Sequence, residues 1–173
     1  MKKRLLSMLL ILVMVLSLAA CGGGGEAQTK EKIVIADGEW YGTDLYQQDT
    51  WSTVQSLIAD SLFSIDPDTG ALLDGICTDL TTSEDGLTMT MTVPEGKFYA
   101  TGEQVEPEDV VASIEWGKEV SPYADGYANI ESMEVDGRQV IFHLSSFRSD
   151  LLYYLGDCFM GVIDKDQLDT MSK

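Results

Sequence analysis

The sequence contains few basic residues and a single histidine. Lysine and arginine together number 11, against 29 aspartate and glutamate residues, which gives a formal net charge of −18 at pH 7. Because proteins that bind nucleic acid neutralise phosphates with clustered lysine and arginine, this composition excludes nucleic acid as an expected partner. The acidity favours solubility and would be repelled by an anionic membrane surface. Such a charge is chiefly that of a solvated surface, although it would mildly favour cationic ligands.

The chain also lacks the common catalytic and metal-binding motifs. It contains no G-x-S-x-G, no H-E-x-x-H and no Cys-x-x-Cys sequence. His143 has no second histidine to act with, which favours a structural role. The sequence Asp66-Pro67-Asp68 suggests a calcium loop, but Pro67 and Gly70 break the required spacing and favour a hairpin turn. We therefore predict no catalytic residue, no metal site and no cofactor, and we expect the protein not to be an enzyme.

The amino terminus has the pattern of a secretory signal. A basic head, Lys2-Lys3-Arg4, precedes an apolar run from Leu5 to Leu18 that is too short to span a bilayer comfortably. Leu18-Ala19-Ala20-Cys21 resembles the lipobox of bacterial lipoproteins, in which the cysteine sulfur is acylated and cleavage leaves that cysteine first. The alternative is an ordinary secretory peptide with a chance cysteine. We predict a signal peptide over residues 1–20 and lipidation of Cys21 by acyl chains, palmitate among them.

Two further predictions follow from this amino terminus. The run Gly22 to Gly25 and the polar residues after it predict a flexible tether over residues 21–31. Two acyl chains are sufficient for stable membrane anchoring. The predicted location is thus the cell membrane, with the lipid-anchored protein facing outside the cytoplasm.

Residues 32–173 are long enough for one domain with a real core. Lys32–Ala36 predicts a first strand, and the apolar spacing over Thr50–Leu62 predicts an amphipathic helix. Asp66–Gly70 predicts a hairpin turn, and Asp136-Gly137 predicts a second hairpin. Further turns are expected at 81–86 and a loop at 121–127, with a short helix from Leu151 ended by Gly156 and another starting near Asp164. Cys77 and Cys158 are either a disulfide pair or buried free thiols, and we favour the free thiols because one pair is optional in a domain of this size.

The stretch Gly86–Trp116 is the most informative part of the chain. Leu87, Met89, Met91 and Val93 alternate with threonines, which predicts a strand with one apolar face. A loop, Glu95 to Gly102, follows. A helix is then predicted from Pro107, whose fixed backbone angle suits the first helical position, with Glu108 and Asp109 placed favourably for the helix dipole.

This strand, loop and helix resemble extracellular solute-binding proteins of family five, the oligopeptide, dipeptide and nickel class. The family shows "GV-K-F-H-D-G" and then "T-A-E-D-V-V-x-S". The counterparts here are Gly96-Lys97-Phe98-Tyr99-Ala100-Thr101-Gly102 and Glu106-Pro107-Glu108-Asp109-Val110-Val111-Ala112-Ser113. Upstream, the layout "P-x-L-A-x-x-W-x-x-S-x-D-G" is matched up to Asp85-Gly86, with the proline and the tryptophan missing.

The resemblance implies a mixed α/β fold, the incomplete amino-terminal portion of a periplasmic-binding-protein-like type II fold with two lobes. It implies the substrate-binding lipoprotein of an ABC importer, monomeric, which captures peptides or similar small solutes and delivers them to permease subunits. Trp40 and Tyr41, after the first strand, are candidates for a ligand-facing wall, and packing in the core is an equally good interpretation. Because the chain stops at Lys173, we expect the second lobe to be missing and solute binding to be weak.

Two other functions stay open. A surface-anchored interaction module would work without any solute and would use the acidic hairpins as its contact face. A lipid-anchored hydrolase is less favoured, because the carboxylates are plentiful but scattered.

Overall fold

The computed structural model describes residue 34 and residues 55–156, 160–168 and 170–171. The chain divides into two units, residues 1–36 and 37–173. In the first unit the structure describes only Val34, whose side chain is exposed. In the second unit the described elements run in the order α1 (Gln55–Ile58), β1 (Phe63–Ile65), β2 (Leu72–Asp74), β3 (Thr78–Thr82), β4 (Thr88–Thr92), α2 (Pro107–Val120), a 3₁₀ helix (Ala124–Tyr127), β5 (Ile130–Asp136), β6 (Gln139–Leu144), α3 (Leu151–Gly156) and α4 (Lys165–Leu168).

A four-stranded antiparallel sheet with the order β3-β4-β6-β5 forms the centre of this unit. The alternation predicted for β4 is confirmed, because Met89 and Met91 are buried while the intervening threonines are half-buried. Met89 lies opposite Phe142 and Met91 opposite Val140. The apolar faces of the two central strands therefore coincide, as the period of two requires.

Helix α2 covers the core beside the sheet and contacts β5 and β6. It begins at Pro107, as predicted, and Val110 and Ile114 are fully buried. Ser121 at its end is extended, with ψ of 138°, because the proline that follows disfavours a helical conformation in the residue before it. The helix thus presents one apolar face to the sheet, as its sequence spacing indicates.

Both predicted hairpins are present. Strands β1 and β2 form a separate two-stranded sheet in which Ile65 lies opposite Leu72, and the carboxylate of Asp66 accepts hydrogen bonds from the turn amides of Asp68 and Thr69 at 2.9 Å each. These bonds lower the pKa of Asp66. Strands β5 and β6 are joined through Asp136-Gly137, where Gly137 has a positive φ of 59°, as this turn requires.

The helix predicted over Thr50–Leu62 ends earlier than expected. Residues 50–54 lie outside the described part of the chain, and α1 ends at Ile58. Beyond it, the carbonyl of Ser61 accepts a hydrogen bond from the amide of Ile76 at 3.0 Å, and that of Leu62 accepts one from Cys77 at 2.8 Å. The prediction was wrong there because the tertiary pairing with residues 76 and 77 overrides the local helical spacing.

Two smaller differences concern predicted turns and loops. Thr81 and Thr82, predicted in a turn, belong to β3 and pair with Thr90 and Met89. The loop predicted at 121–127 contains a 3₁₀ helix whose Tyr127 is fully buried. The two late helices are present as α3, ending at Gly156, and α4, beginning at Lys165.

Candidate functional site

The residues that the sequence singled out for binding lie outside the described part of the chain. These residues are Cys21, the predicted lipidation site, and Trp40 and Tyr41, the predicted ligand-facing wall. The predicted signal peptide and tether also lie outside the described part of the chain. Cys158 is outside it as well, whereas Cys77 is a buried free thiol. Among the described residues, the candidates for a functional role are therefore the motif residues and the residues that line cavities.

Asp109 connects the start of α2 to a distant segment. Its side chain is buried, and its Oδ2 accepts a hydrogen bond from the amide of Glu106 at 2.9 Å. Its Oδ1 accepts one from the amide of Lys165 at 3.2 Å and lies 3.5 Å from the Lys165 ammonium. The charge of Asp109 is the largest cause of the raised pKa of Lys165. One carboxylate thus caps α2 and holds the first residue of α4.

Ser113, one helical turn after Asp109, makes contacts of the same kind. Its hydroxyl accepts a hydrogen bond from the amide of Ile163 at 2.9 Å and lies 3.1 Å from the carbonyl of the same residue, to which it donates. Residues four apart share one helix face. The aspartate and serine of the Asp-Val-Val-Ala-Ser motif therefore act together, and we call this contact with residues 163–165 the α2 clip.

Arg138 connects the β5–β6 hairpin to the loop between β4 and α2. Its guanidinium donates to the carbonyls of Val93 at 2.7 Å and Val105 at 2.9 Å. It also contacts the Pro94 carbonyl at 3.3 Å and pairs with the Glu106 carboxylate. Only a planar fork with several donors can meet this set of acceptors. Arg138 thereby fixes both ends of the motif loop.

A small cavity of about 300 Å³ lies between the β1–β2 hairpin and β3. Buried Phe63, Cys77 and Met91 contribute to its wall, and the exposed Asp74 and Asp79 also line it. Burial raises the pKa of the Cys77 thiol to about 12 against a small opposing effect of Lys97, so the thiol is a poor nucleophile at neutral pH. The described residues that line it are Phe63, Leu72, Asp74, Cys77, Thr78, Asp79, Leu80 and Met91.

The backbone beside this cavity is irregular. The β3–β4 register shifts between Thr78 and Thr81, which marks a bulge, and Asp79 within it has a positive φ of 55°. Aspartate tolerates this left-handed conformation better than most residues. Leu80 stands six residues before Gly86, where the family layout quoted above has its tryptophan. Asp79 and Leu80 both line the cavity at this edge of the sheet.

A larger recess of about 690 Å³ lies between α2 and α4, and Trp116, Leu168 and Met171 are among its lining residues. Its cations already have partners within the protein. Lys118 lies 3.3 Å from Glu115 and donates to the Ile130 carbonyl at 3.2 Å, and Lys165 pairs with Asp109.

The described residues contain no group of three or more His, Cys, Asp or Glu side chains suited to a metal ion. His143 lies on β6 with its Nε2 atom 3.5 Å from a carboxylate oxygen of Glu134. Among the helices described, none is both long and apolar enough to span a membrane.

No protein-family model and no curated protein matches the sequence. Solved structures match. A dipeptide-binding protein from Pseudoalteromonas sp. SM9913, in complex with Met-Leu, is 21% identical with a TM-score of 0.65, over 78% of this chain and 31% of that chain. NikZ from Campylobacter jejuni, in complex with Ni(L-His), is 21% identical with a TM-score of 0.67, over 77% and 27%.

DppA from Helicobacter pylori, an ABC transporter-associated periplasmic binding protein in complex with the peptide STSA, is 22% identical with a TM-score of 0.60, over 74% of this chain and 30% of that chain. This chain thus spans under a third of the length of each of the three. At these identities the likeness establishes the fold. The mixed α/β fold implied by the resemblance to family five is confirmed, as a partial match to solute-binding proteins.

Proposed function

We propose that this chain is the amino-terminal part of the solute-binding lipoprotein of an ATP-driven importer, and that the protein captures peptides or similar small solutes. It is a binding protein and not an enzyme. Residues 1–20 are its signal peptide, residues 21–31 its tether, and residues 32–173 the opening part of its binding domain. The protein acts as a monomer, held by lipid on Cys21 at the outer side of the cell membrane.

One observation carries this proposal. The fold matches binding proteins crystallised with a dipeptide, a peptide and a nickel–histidine complex. The resemblance in sequence over Gly86–Trp116, which contains the α2 clip residues Asp109 and Ser113, supports the same class of protein. Trp40 and Tyr41 form the ligand-facing wall in this proposal.

The exposed apolar side chains of the first elements also support it. Leu57 and Ile58 of α1 and Ile65, Leu72 and Leu73 of the β1–β2 hairpin are each at least 40% exposed. Ile65 and Leu72 lie opposite each other in the hairpin, and apolar groups exposed together mark surfaces that bind other protein or ligand. A ligand that bridges such a surface and a second lobe would shift the protein between open and closed forms by its differential affinity for the closed form.

The anchor is tested by metabolic labelling of the source cells with palmitate and fractionation. We expect label on the wild-type protein in the membrane fraction and no label on a Cys21→Ser variant, which should be released as soluble protein. A Ser17→Ala variant serves as the control, because it alters the signal peptide and leaves the cysteine. Label retained by Cys21→Ser would contradict the anchor.

The transport role is tested by cross-linking in cells followed by capture of the protein. The proposal predicts that permease subunits are recovered and that native mass spectrometry of the captured protein shows a bound peptide or similar solute. Recovery of other envelope proteins without any solute would favour the interaction module. Turnover of model esters or glycosides, abolished by a single Asp or Glu substitution, would favour the hydrolase.

A further inference from the structure

The small cavity combines an apolar interior with an acidic rim. Phe63 and Cys77 are 3% and 2% exposed and Met91 is fully buried, whereas Asp74 and Asp79 are exposed. The apolar wall therefore lies towards the core and the carboxylates towards solvent. Its volume of about 300 Å³ is at the lower end of the range of ligand sites, which suits a group the size of one amino-acid residue.

The charges of the rim are of one sign. Asp74 and Asp79 are the only charged side chains among the described residues that line the cavity. The Oδ2 atom of Asp79 accepts a hydrogen bond from the Thr78 hydroxyl at 2.9 Å. The positive charge of Lys97 acts to lower the pKa of the Cys77 thiol against the larger effect of burial, but Lys97 is not among the described residues that line the cavity. An anion would meet two carboxylates there, whereas a cation would complement them.

We propose that this cavity binds an apolar group that carries a primary ammonium, with the apolar group against Phe63 and Met91 and the ammonium at Asp74 and Asp79. Asp79 lies in the bulge of β3 and is exposed at the rim, and Leu80 lines the cavity beside it. The identification of this ammonium with the amino-terminal residue of a peptide rests on the proposed function. The recognition of a hydrophobic ammonium rests on the cavity alone.

The test is a titration of the isotope-labelled protein followed by NMR, with L-leucinamide as the probe. N-acetyl-L-leucinamide is the matched control, because it keeps the side chain and removes the positive charge. We expect leucinamide to cause saturable shifts at Leu80 and at the methyl group of Met91, with a Kd of roughly 1–10 mM for a probe with so few atoms. The control probe should bind about tenfold more weakly, since it lacks the charge-assisted contacts.

The variants test the two halves of the site separately. The double variant Asp74→Asn and Asp79→Asn should weaken leucinamide binding about tenfold and leave the control probe unchanged, and asparagine tolerates the backbone conformation at residue 79. Leu80→Trp should fill the cavity and abolish the shifts from both probes. Asp136→Asn, which removes an exposed carboxylate in the β5–β6 turn, should change neither.

These experiments test ligand binding at the cavity independently of the transport function. Equal binding of the two probes, shifts outside the cavity, no saturation, or indifference to the aspartate variants would overturn the proposal. A third probe, the tripeptide Leu-Ala-Ala, should produce the same shifts if the ammonium belongs to a peptide, and their absence would overturn that identification. Peptide uptake that persists in cells carrying the double aspartate variant would overturn the identification of the ammonium with a transported peptide, while leaving both the importer role and the binding of a hydrophobic ammonium at the cavity intact.

Discussion

Replacement of Asp109 by alanine should destabilise the protein strongly, because this carboxylate serves two backbone amides at once. The substitution removes the acceptor of the Glu106 amide at 2.9 Å and of the Lys165 amide at 3.2 Å. A hydrogen bond to a charged group contributes about 1.5–3 kcal/mol, and loss of an acceptor at a helix start costs about 1 kcal/mol. Asp109 is only 2% exposed, so water cannot fully replace it. We expect a loss of about 2–4 kcal/mol.

The ion pair of Asp109 with Lys165 should contribute little to this loss. The Lys165 side chain is 45% exposed, and exposed pairs contribute about 0–1 kcal/mol. Lys165→Ala should therefore cost less than about 1 kcal/mol, since its backbone amide still donates to Asp109. A double-mutant cycle of the two substitutions should give a coupling energy of similar small size.

The assay is urea unfolding followed by circular dichroism, with the free energy of unfolding compared at unchanged slope. Glu108→Ala is the matched control, because Glu108 is exposed in the same helical turn and should change stability by less than about 0.5 kcal/mol. If Asp109→Ala cost no more than Glu108→Ala, the α2 clip would not hold residues 163–165. A cost shared equally between Asp109→Ala and Lys165→Ala would show that the ion pair dominates instead.

Two further predictions concern Arg138 and Cys77. Arg138→Lys should lower the free energy of unfolding by about 2–3 kcal/mol, because an ammonium cannot meet the carbonyls of Val93 and Val105 and the Glu106 carboxylate together. Urea unfolding measures this loss, with the nearby Gln139→Lys as control. A loss below about 0.5 kcal/mol would show that the guanidinium is not needed for these contacts. The folded pKa of Cys77 is raised from 9.0 to about 12, so the unfolded chain releases this proton first and stability is lost as pH rises from 9 towards 12. The difference in unfolding free energy between wild type and Cys77→Ala should shrink by about 1.4 kcal/mol per pH unit in that window, and a constant difference would contradict the burial of the thiol.

The local patterns in the sequence predicted the elements whose backbone bonds stay local or pair with a neighbour in sequence. The alternation of Met89 and Met91 predicted β4, Pro107 predicted the start of α2, and Asp136-Gly137 predicted the second hairpin. In each of them the residues that decide the conformation lie within a few positions of one another. The fold class followed from the resemblance that these elements carry.

The long-range contacts could not be read in the same way. The partners of Arg138 lie 32 to 45 residues away, and Lys165 lies 56 residues from Asp109. From the sequence alone, the only role predicted for Asp109 was a favourable interaction with the helix dipole. The wrong end of the helix over Thr50–Leu62 has the same origin, because Ser61 and Leu62 bond to residues 76 and 77 instead of continuing the helix.

The cavity was also invisible in the sequence, although one signal pointed to its place. The family layout has a tryptophan where this chain has Leu80, and the structure shows a cavity at that position. The bulge at Asp79 could not be anticipated, because a threonine-rich stretch contains no glycine to mark it.

Uptake of labelled peptides by the source cells tests the central claim most directly. Cells in which the gene is deleted should lose most uptake of short peptides, and the wild-type gene should restore it. A gene with both Trp40→Ala and Tyr41→Ala should restore it poorly, while one with Asp136→Asn should restore it fully. Undiminished uptake of every peptide and other small solute tested after deletion would contradict the account.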